Sequence, residues 1–146
     1  MERKELVRSI NSIVSTDKLE WEPWDRYFPG APPTEGEYGG WVKVLRRPEA
    51  TEKGWTFLFK WVGWPGKTVR HIAIVPDDGE EHVYMVMPPI NDPNFNMEGT
   101  YTFRGPGARH GGNFGADFTS FLRYTTGPDI ILSYEFVDRR PTSKDI

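Results

Sequence analysis

Three histidines, His71, His82 and His110, stand in a chain that has no cysteine. Imidazole is the side chain best suited to moving a proton near neutral pH, and its neutral nitrogen binds transition metals. The absence of cysteine removes disulfides, thiolate metal sites, iron–sulfur clusters and cysteine nucleophiles together. His71 and His82 flank Pro76-Asp77-Asp78-Gly79, a tight-turn sequence between two β-rich runs, KTVRHIAIV and EEHVYMVM. A hairpin across that turn would set the two rings opposite one another. Glu80, His82 and Tyr84 share one face of the second run by alternation, adding a carboxylate and a phenol able to act as base, ligand or proton donor. Glu81 is a further carboxylate, though residues beside a turn are usually solvated. Arg104 and Arg123 have the planar fork that grips a substrate carboxylate with two hydrogen bonds. Arg70 and Arg109 point away from their histidine neighbours and read as surface ion-pairing residues, and Asp77 and Asp78 as turn formers. The plain alternative for each histidine is a ring that only packs or hydrogen-bonds within a sheet.

The elements that must position these groups are strands. At 146 residues the chain suits one domain, and it combines 14% aromatic residues and six tryptophans with 15 glycines and 13 prolines. Rings favour pleated, half-buried surfaces, and glycine and proline cut helices short. In WTFLFKWV, the residues Trp55, Phe57, Phe59 and Trp61 alternate onto one face, an apolar wall for a core or a substrate pocket. Further strands are expected in Trp41–Leu45, GTYTFR, DFTSFLRYT and IILSYEFV, giving six to eight in all, with GPGARHGGNFGA read as a turn. Leu6, Ile10 and Ile13 are spaced for an amphipathic helix over residues 2–13. From Trp21 to Gly40 a proline- and glycine-rich arm carries Trp21, Trp24, Tyr27 and Phe28. The expected organisation is an N-terminal helical segment over 1–20, a barrel over 21–138 and a polar tail over 139–146. Closing the sheet into a double-sheet jelly roll hides the edges that an open sheet leaves exposed.

Charge and hydropathy exclude other classes. The formal net charge is −3 with no basic block, so a nucleic-acid partner is not expected. No apolar run is long enough to span a membrane, and the N-terminal stretch lacks the apolar centre of a signal peptide, so a cytoplasmic location is expected.

One segment supports a family resemblance. GTYTFRGPGARHGG resembles the second conserved motif of the cupin superfamily: Gly99 opens it, Gly105-Pro106-Gly107 makes the turn, and His110 occupies the metal-ligand position. The usual proline position is Gly105 here, and Asn113 approximates the asparagine often found later. The first cupin motif is degenerate. His71-Ile72-Ala73 stands where a His-x-His pair is usual, and His82 or Glu80 takes the place of the glutamate. The chain is most similar to small single-domain cupins, such as the cupin domain of zinc-binding anti-sigma factors and the acetylacetone-cleaving dioxygenases.

The resemblance implies an all-β, cupin-type double-stranded β-helix with a short N-terminal helix. It implies a divalent metal, iron before zinc, manganese, nickel or copper, held by His71, His82 and His110. His110, Tyr84 and Glu80 would be the catalytic groups, and Trp55, Phe57, Phe59, Trp61, Arg104 and Arg123 would bind a small oxygenated substrate. The chemistry would be that of a dioxygenase, lyase or isomerase. The missing second histidine favours an alternative: a metal-free cupin that binds a small ligand or does acid–base chemistry. A non-enzymatic sensor or interaction cupin is a third reading. Homodimerisation through the aromatic arm is expected by the same resemblance.

Overall fold

The computed structural model describes residues 13–90, 92 and 95–139. The helix expected over 2–13 falls outside the described residues except for Ile13, and so does nearly all of the polar tail. Two single-turn 3-10 helices occur near the start, Thr16–Lys18 before the N-terminal arm and Trp24–Arg26 within it. The strands are β1 (Glu22–Pro23), β2 (Gly39–Arg46), β3 (Trp55–Val62), β4 (Lys67–Ile74), β5 (Glu81–Met87), β6 (Tyr101–Arg104), β7 (Arg109–Phe114), β8 (Phe118–Tyr124) and β9 (Ile130–Asp138).

They form two facing antiparallel sheets, one of six strands in the order β1-β2-β3-β8-β5-β6 and one of three in the order β7-β4-β9. This is the expected jelly roll. The alternation in β3 is observed as read, with Phe57, Phe59 and Trp61 buried and the intervening residues outside the core. The inner faces of β2, β4 and β8 complete the core through Val42, Val69, Ala73 and Leu122. Among the described residues no helix is long and apolar enough to cross a membrane.

Two expectations are corrected. The β4–β5 hairpin does not form. β4 pairs with β7 and β9 in the small sheet, whereas β5 pairs with β8 and β6 in the large one. The link between them is pinned at one end to the small sheet, where the Val75 N–H donates to the Ala108 carbonyl (2.9 Å). At its other end it is pinned to the large sheet, where the Thr125 N–H donates to the Glu80 carbonyl (3.1 Å). Turn residues fix a reversal of the chain, but they do not dictate which strand receives the hydrogen bonds. The second correction concerns the segment read as one long turn, GPGARHGGNFGA. Its first part is a turn, closed by Gly107 at φ +73° and a bond from the Ala108 N–H to the Gly105 carbonyl. Its second part is β7.

The N-terminal arm is a plug. Trp24 and Phe28 are buried in the core, and the Trp24 ring packs against Phe59, Trp61, His71 and Phe114. Truncating either ring would cost about 3–5 kcal/mol. These two rings are therefore not the exposed contacts for a second copy that the arm suggested. Trp21 lies farther out, beneath the Lys43 and Lys60 ammonium groups.

Candidate active site

β5 starts with Glu81 on its inner face, and the antiparallel register sets Arg104 of β6 and Tyr124 of β8 on either side of it. Arg104 Nη1 donates to Glu81 Oε1 at 2.6 Å, and the Tyr124 hydroxyl donates to Oε2 at 2.7 Å. From the small sheet come His110, on β7, and Asp129, immediately before β9. His110 Nε2 is 2.9 Å from Asp129 Oδ2 and 3.6 Å from Glu81 Oε1. Glu81 and Asp129 are almost fully buried, at 3% exposure each. The two sheets thus meet at one end of the barrel through two carboxylates, an imidazole, a guanidinium and a phenol.

Such a cluster cannot carry all its formal charges out of water. Burial pushes the Asp129 carboxyl up to about 10, reinforced by its hydrogen bond with Glu81 and by that neighbour's negative charge. Burial acts in the same direction on Glu81, but hydrogen bonds from Asp129 and Tyr124 and the charge of Arg104 outweigh it and hold this carboxylate below its ordinary range. Asp129 is therefore the carboxyl pushed toward its protonated form, and Glu81 the one held as the anion. Burial also raises the Tyr124 phenol, with the Glu81 charge adding to it, so this group stays a proton donor. Burial lowers His110, against the pull of Glu81, so the ring is kept neutral. Asp129 Oδ1 is buried with no donor directed at it.

His71 lies one strand over, on the same inner face, because Ala73 is the register partner of His110 and His71 precedes Ala73 by two residues. Its ring sits between Trp24 and Phe114, and Nδ1 has no hydrogen-bond partner. Burial drives its pKa down to about 4, with the nearby His110 contributing. Its partner across the ladder must be very small. A Cβ on Gly112 would lie 3.0 Å from His71 Cε1.

These groups line a cavity of about 1080 Å³ between the sheets. Trp24, Phe59, Phe95, Phe114 and Phe118 lie along its walls as well.

The structure brings together some of the residues anticipated from sequence and separates others. His110, His71, Arg104 and Phe59 line the cavity. His82 does not: it lies on the outer face of β5, with Nδ1 2.5 Å from the Tyr101 hydroxyl and Nε2 3.2 Å from Glu80 Oε1. The odd-numbered residues of β5 face inward, so Glu80, His82 and Tyr84 all fall outside, and Tyr84 is 47% exposed. The three-histidine cluster consequently does not assemble, since its geometry required the hairpin that is absent. Arg104 is engaged by Glu81, and Arg123 is on the outer surface, 3.5 Å from Glu52. Trp55, Phe57 and Trp61 share the face with Phe59 but pack into the core away from the cavity, Trp55 stacked on Phe57. Sequence reading missed Tyr124 and Asp129 altogether. Asp129 sits in TTGPD, whose composition signals a turn; only the apolar run after it hints that it leads into a buried strand.

No protein-family model matches the chain, and neither does any curated protein. Solved structures do. A candidate acetylacetone dioxygenase from Methylibium petroleiphilum PM1 superposes with a TM-score of 0.55 at 15% identity, over 84% of this chain and 81% of its own. An RmlC-like cupin protein from Ralstonia eutropha JMP134 gives 0.53 at 17% identity, over 90% and 83%. The polyketide cyclase RemF from Streptomyces resistomycificus gives 0.51 at 10% identity, over 91% and 88%. The likeness at these identities is one of architecture: the chain has the cupin fold. Its buried cluster of acid, base and guanidinium occupies the interior of that barrel.

Proposed function

We propose that the chain is an enzyme that moves protons on an oxygenated organic molecule inside the barrel, with Asp129, Glu81 and His110 as the reacting groups. The observation that carries this reading is the meeting of two almost fully buried carboxyl groups with one imidazole, His110 Nε2 lying 2.9 Å from Asp129 Oδ2 and 3.6 Å from Glu81 Oε1. Two carboxylates whose environments drive their pKa values apart divide into an acid and a base. Asp129 keeps its proton at neutral pH and can deliver it to a carbonyl or enolate oxygen. His110, neutral and adjacent, can accept a proton from the neighbouring carbon. Arg104 and Tyr124 fix Glu81 as the anion and so decide which carboxylate is the acid. The net event is enolisation or its reversal, the core step of lyases and isomerases acting on ketones. The fold likeness to a candidate acetylacetone dioxygenase and to a polyketide cyclase agrees with a substrate bearing ketone oxygens.

A second reading, a metal-dependent cupin, is favoured by one geometric fact. Glu81, His110 and Asp129 each offer a ligand atom, and these atoms lie within 4.8 Å of one another. Two carboxylate oxygens and one imidazole nitrogen suit iron(II), manganese or zinc, and the unpartnered Asp129 Oδ1 fits such a use. A bound divalent ion would polarise a substrate oxygen and stand in for the proton on Asp129. On this reading His110 is the one ligand kept from the histidine set expected by resemblance.

The test is deuterium exchange at the carbon beside the carbonyl, followed by proton NMR in D₂O for a panel of hydroxyketones and diketones. Wild-type protein is expected to accelerate exchange of at least one, and Asp129→Asn to lose about 10²-fold or more of that acceleration. Equal exchange by wild type and variant would refute the assignment. Elemental analysis of the same samples separates the two readings, because only the second requires stoichiometric metal that is lost in His110→Ala.

A further inference from the structure

Three strands lay out the cavity in the same polarity. On β8 the inward residues run Tyr124, Leu122, Ser120, Phe118; on β7 they run His110, Gly112, Phe114; on β5, Glu81, Val83, Met85. Each begins at the acid cluster with a polar group and ends with an apolar one. The far ends converge, since the Phe114 and Phe118 rings are 4.9 Å apart and Phe118 is 4.7 Å from Phe95. From His110 to Phe114 the strand advances roughly 13 Å. At the midpoint on the β7 side the space over Gly112 is taken by the His71 ring, whose Cε1 lies 3.0 Å from where a Cβ would stand.

We infer that the substrate is a planar molecule of two or three fused rings, carrying hydroxyl or carbonyl oxygens along one edge. That edge meets Asp129, His110 and Glu81, and the rings extend toward Phe114 and Phe118. This assignment rests on the proton-transfer reading of the cluster and names the substrate class for that same site. Size supports it. The space of about 1080 Å³ runs from the acid cluster out to Ile90, Asp138 and Arg139 at the surface, which leaves room for a molecule of several rings. Chemistry supports it too, because aromatic walls offer offset and edge contacts that reward a ring over a flexible aliphatic chain. The buried carboxyl and imidazole groups stand at the Asp129 end, and that fixes the orientation.

The experiment titrates 1,8-dihydroxyanthraquinone, whose oxygens crowd one edge, into the full-length protein. Tryptophan quenching and the shift in thermal midpoint are both followed, with acetylacetone in a parallel arm. The expected result is saturable binding of the anthraquinone, at least about tenfold tighter than acetylacetone. Val83→Trp, which fills the half-buried midpoint of the cavity, is expected to weaken the ring compound by a further factor of about ten. Val83→Phe serves if the larger ring prevents folding. Absence of saturable binding and of any midpoint shift overturns the substrate class, as does anthraquinone binding indifferent to both Val83 variants. Acetylacetone bound more tightly than the anthraquinone, with sensitivity to Asp129→Asn, overturns the ring substrate alone and leaves the proton-transfer site standing. Binding of neither compound overturns the ring substrate, and deuterium exchange unaffected by Asp129→Asn then removes the proton-transfer reading as well.

Discussion

β5 carries two clusters of the same chemical types, back to back. On the inner face Glu81 joins His110, Tyr124 and Asp129. On the outer face Glu80 joins His82 and Tyr101. Each has a carboxylate, an imidazole and a phenol in a hydrogen-bonded group, and the two carboxylates are neighbours in sequence. What separates them is water. Glu81 is 3% exposed, while the Glu80 side chain is 42% exposed. Inside, charges are little screened, so burial and neighbouring groups drive the two carboxyl pKa values apart, Asp129 upward and Glu81 downward. Outside, solvent absorbs the same charges, and the cluster has the modest worth of a surface polar group. Composition gives a site its parts; exclusion of water gives it chemistry.

The sharpest way to test this contrast is to cut one buried and one exposed ion pair. Glu81→Ala should cost about 3–5 kcal/mol of stability, because it leaves Arg104 without its buried partner. Cutting the exposed Arg70–Glu135 pair on the small sheet with Glu135→Ala should cost less than about 1 kcal/mol. Urea unfolding of both variants measures the contrast, and equal losses would end the argument.

Next in size is a pH effect. The fold holds His71 neutral down to about pH 4, while the unfolded chain takes up that proton near 6.5. In that window the unfolded state binds more protons, so stability falls as pH drops from 6.5 toward 4, by on the order of 3 kcal/mol from this residue. His71→Phe should remove that share of the acid sensitivity, read as a smaller difference between unfolding free energies at pH 7 and pH 4.5.

In catalysis the comparison sharpens further. Asp129→Asn should lower exchange activity about 10²-fold, whereas His82→Ala should stay within about twofold of wild type. A comparable loss from both would place the working site on the wrong face. The smallest effect expected is that of Tyr101→Phe, which removes one surface hydrogen bond and should shift stability by about 1 kcal/mol or less in thermal unfolding.

Legibility followed the range of the interactions. The strand Trp55–Val62 was readable to the residue, because alternation of large rings with smaller or polar groups is a local pattern. The Gly105-Pro106-Gly107 reversal was readable as well, since glycine and proline punctuation is local, although the turn was drawn too long. β7 itself was hidden, as Gly111 and Gly112 erase the alternation that would have announced it. Facing along β5 was misjudged by a single residue, which moved His82 and Tyr84 out of the cavity and Glu81 into it. Asp129 gave no signal, because its role depends on Glu81, 48 positions earlier in the chain, being brought beside it.

The sequence alone determined that this chain is a β-barrel with a histidine shortly after its Gly-Pro-Gly turn, because alternation and turn chemistry act between near neighbours. Tertiary structure alone decided which strands pair, which face of β5 is dry and which carboxyl is pushed toward its protonated form. Those outcomes depend on burial and on charges that meet only when distant segments pack together, and no local pattern of residues encodes them.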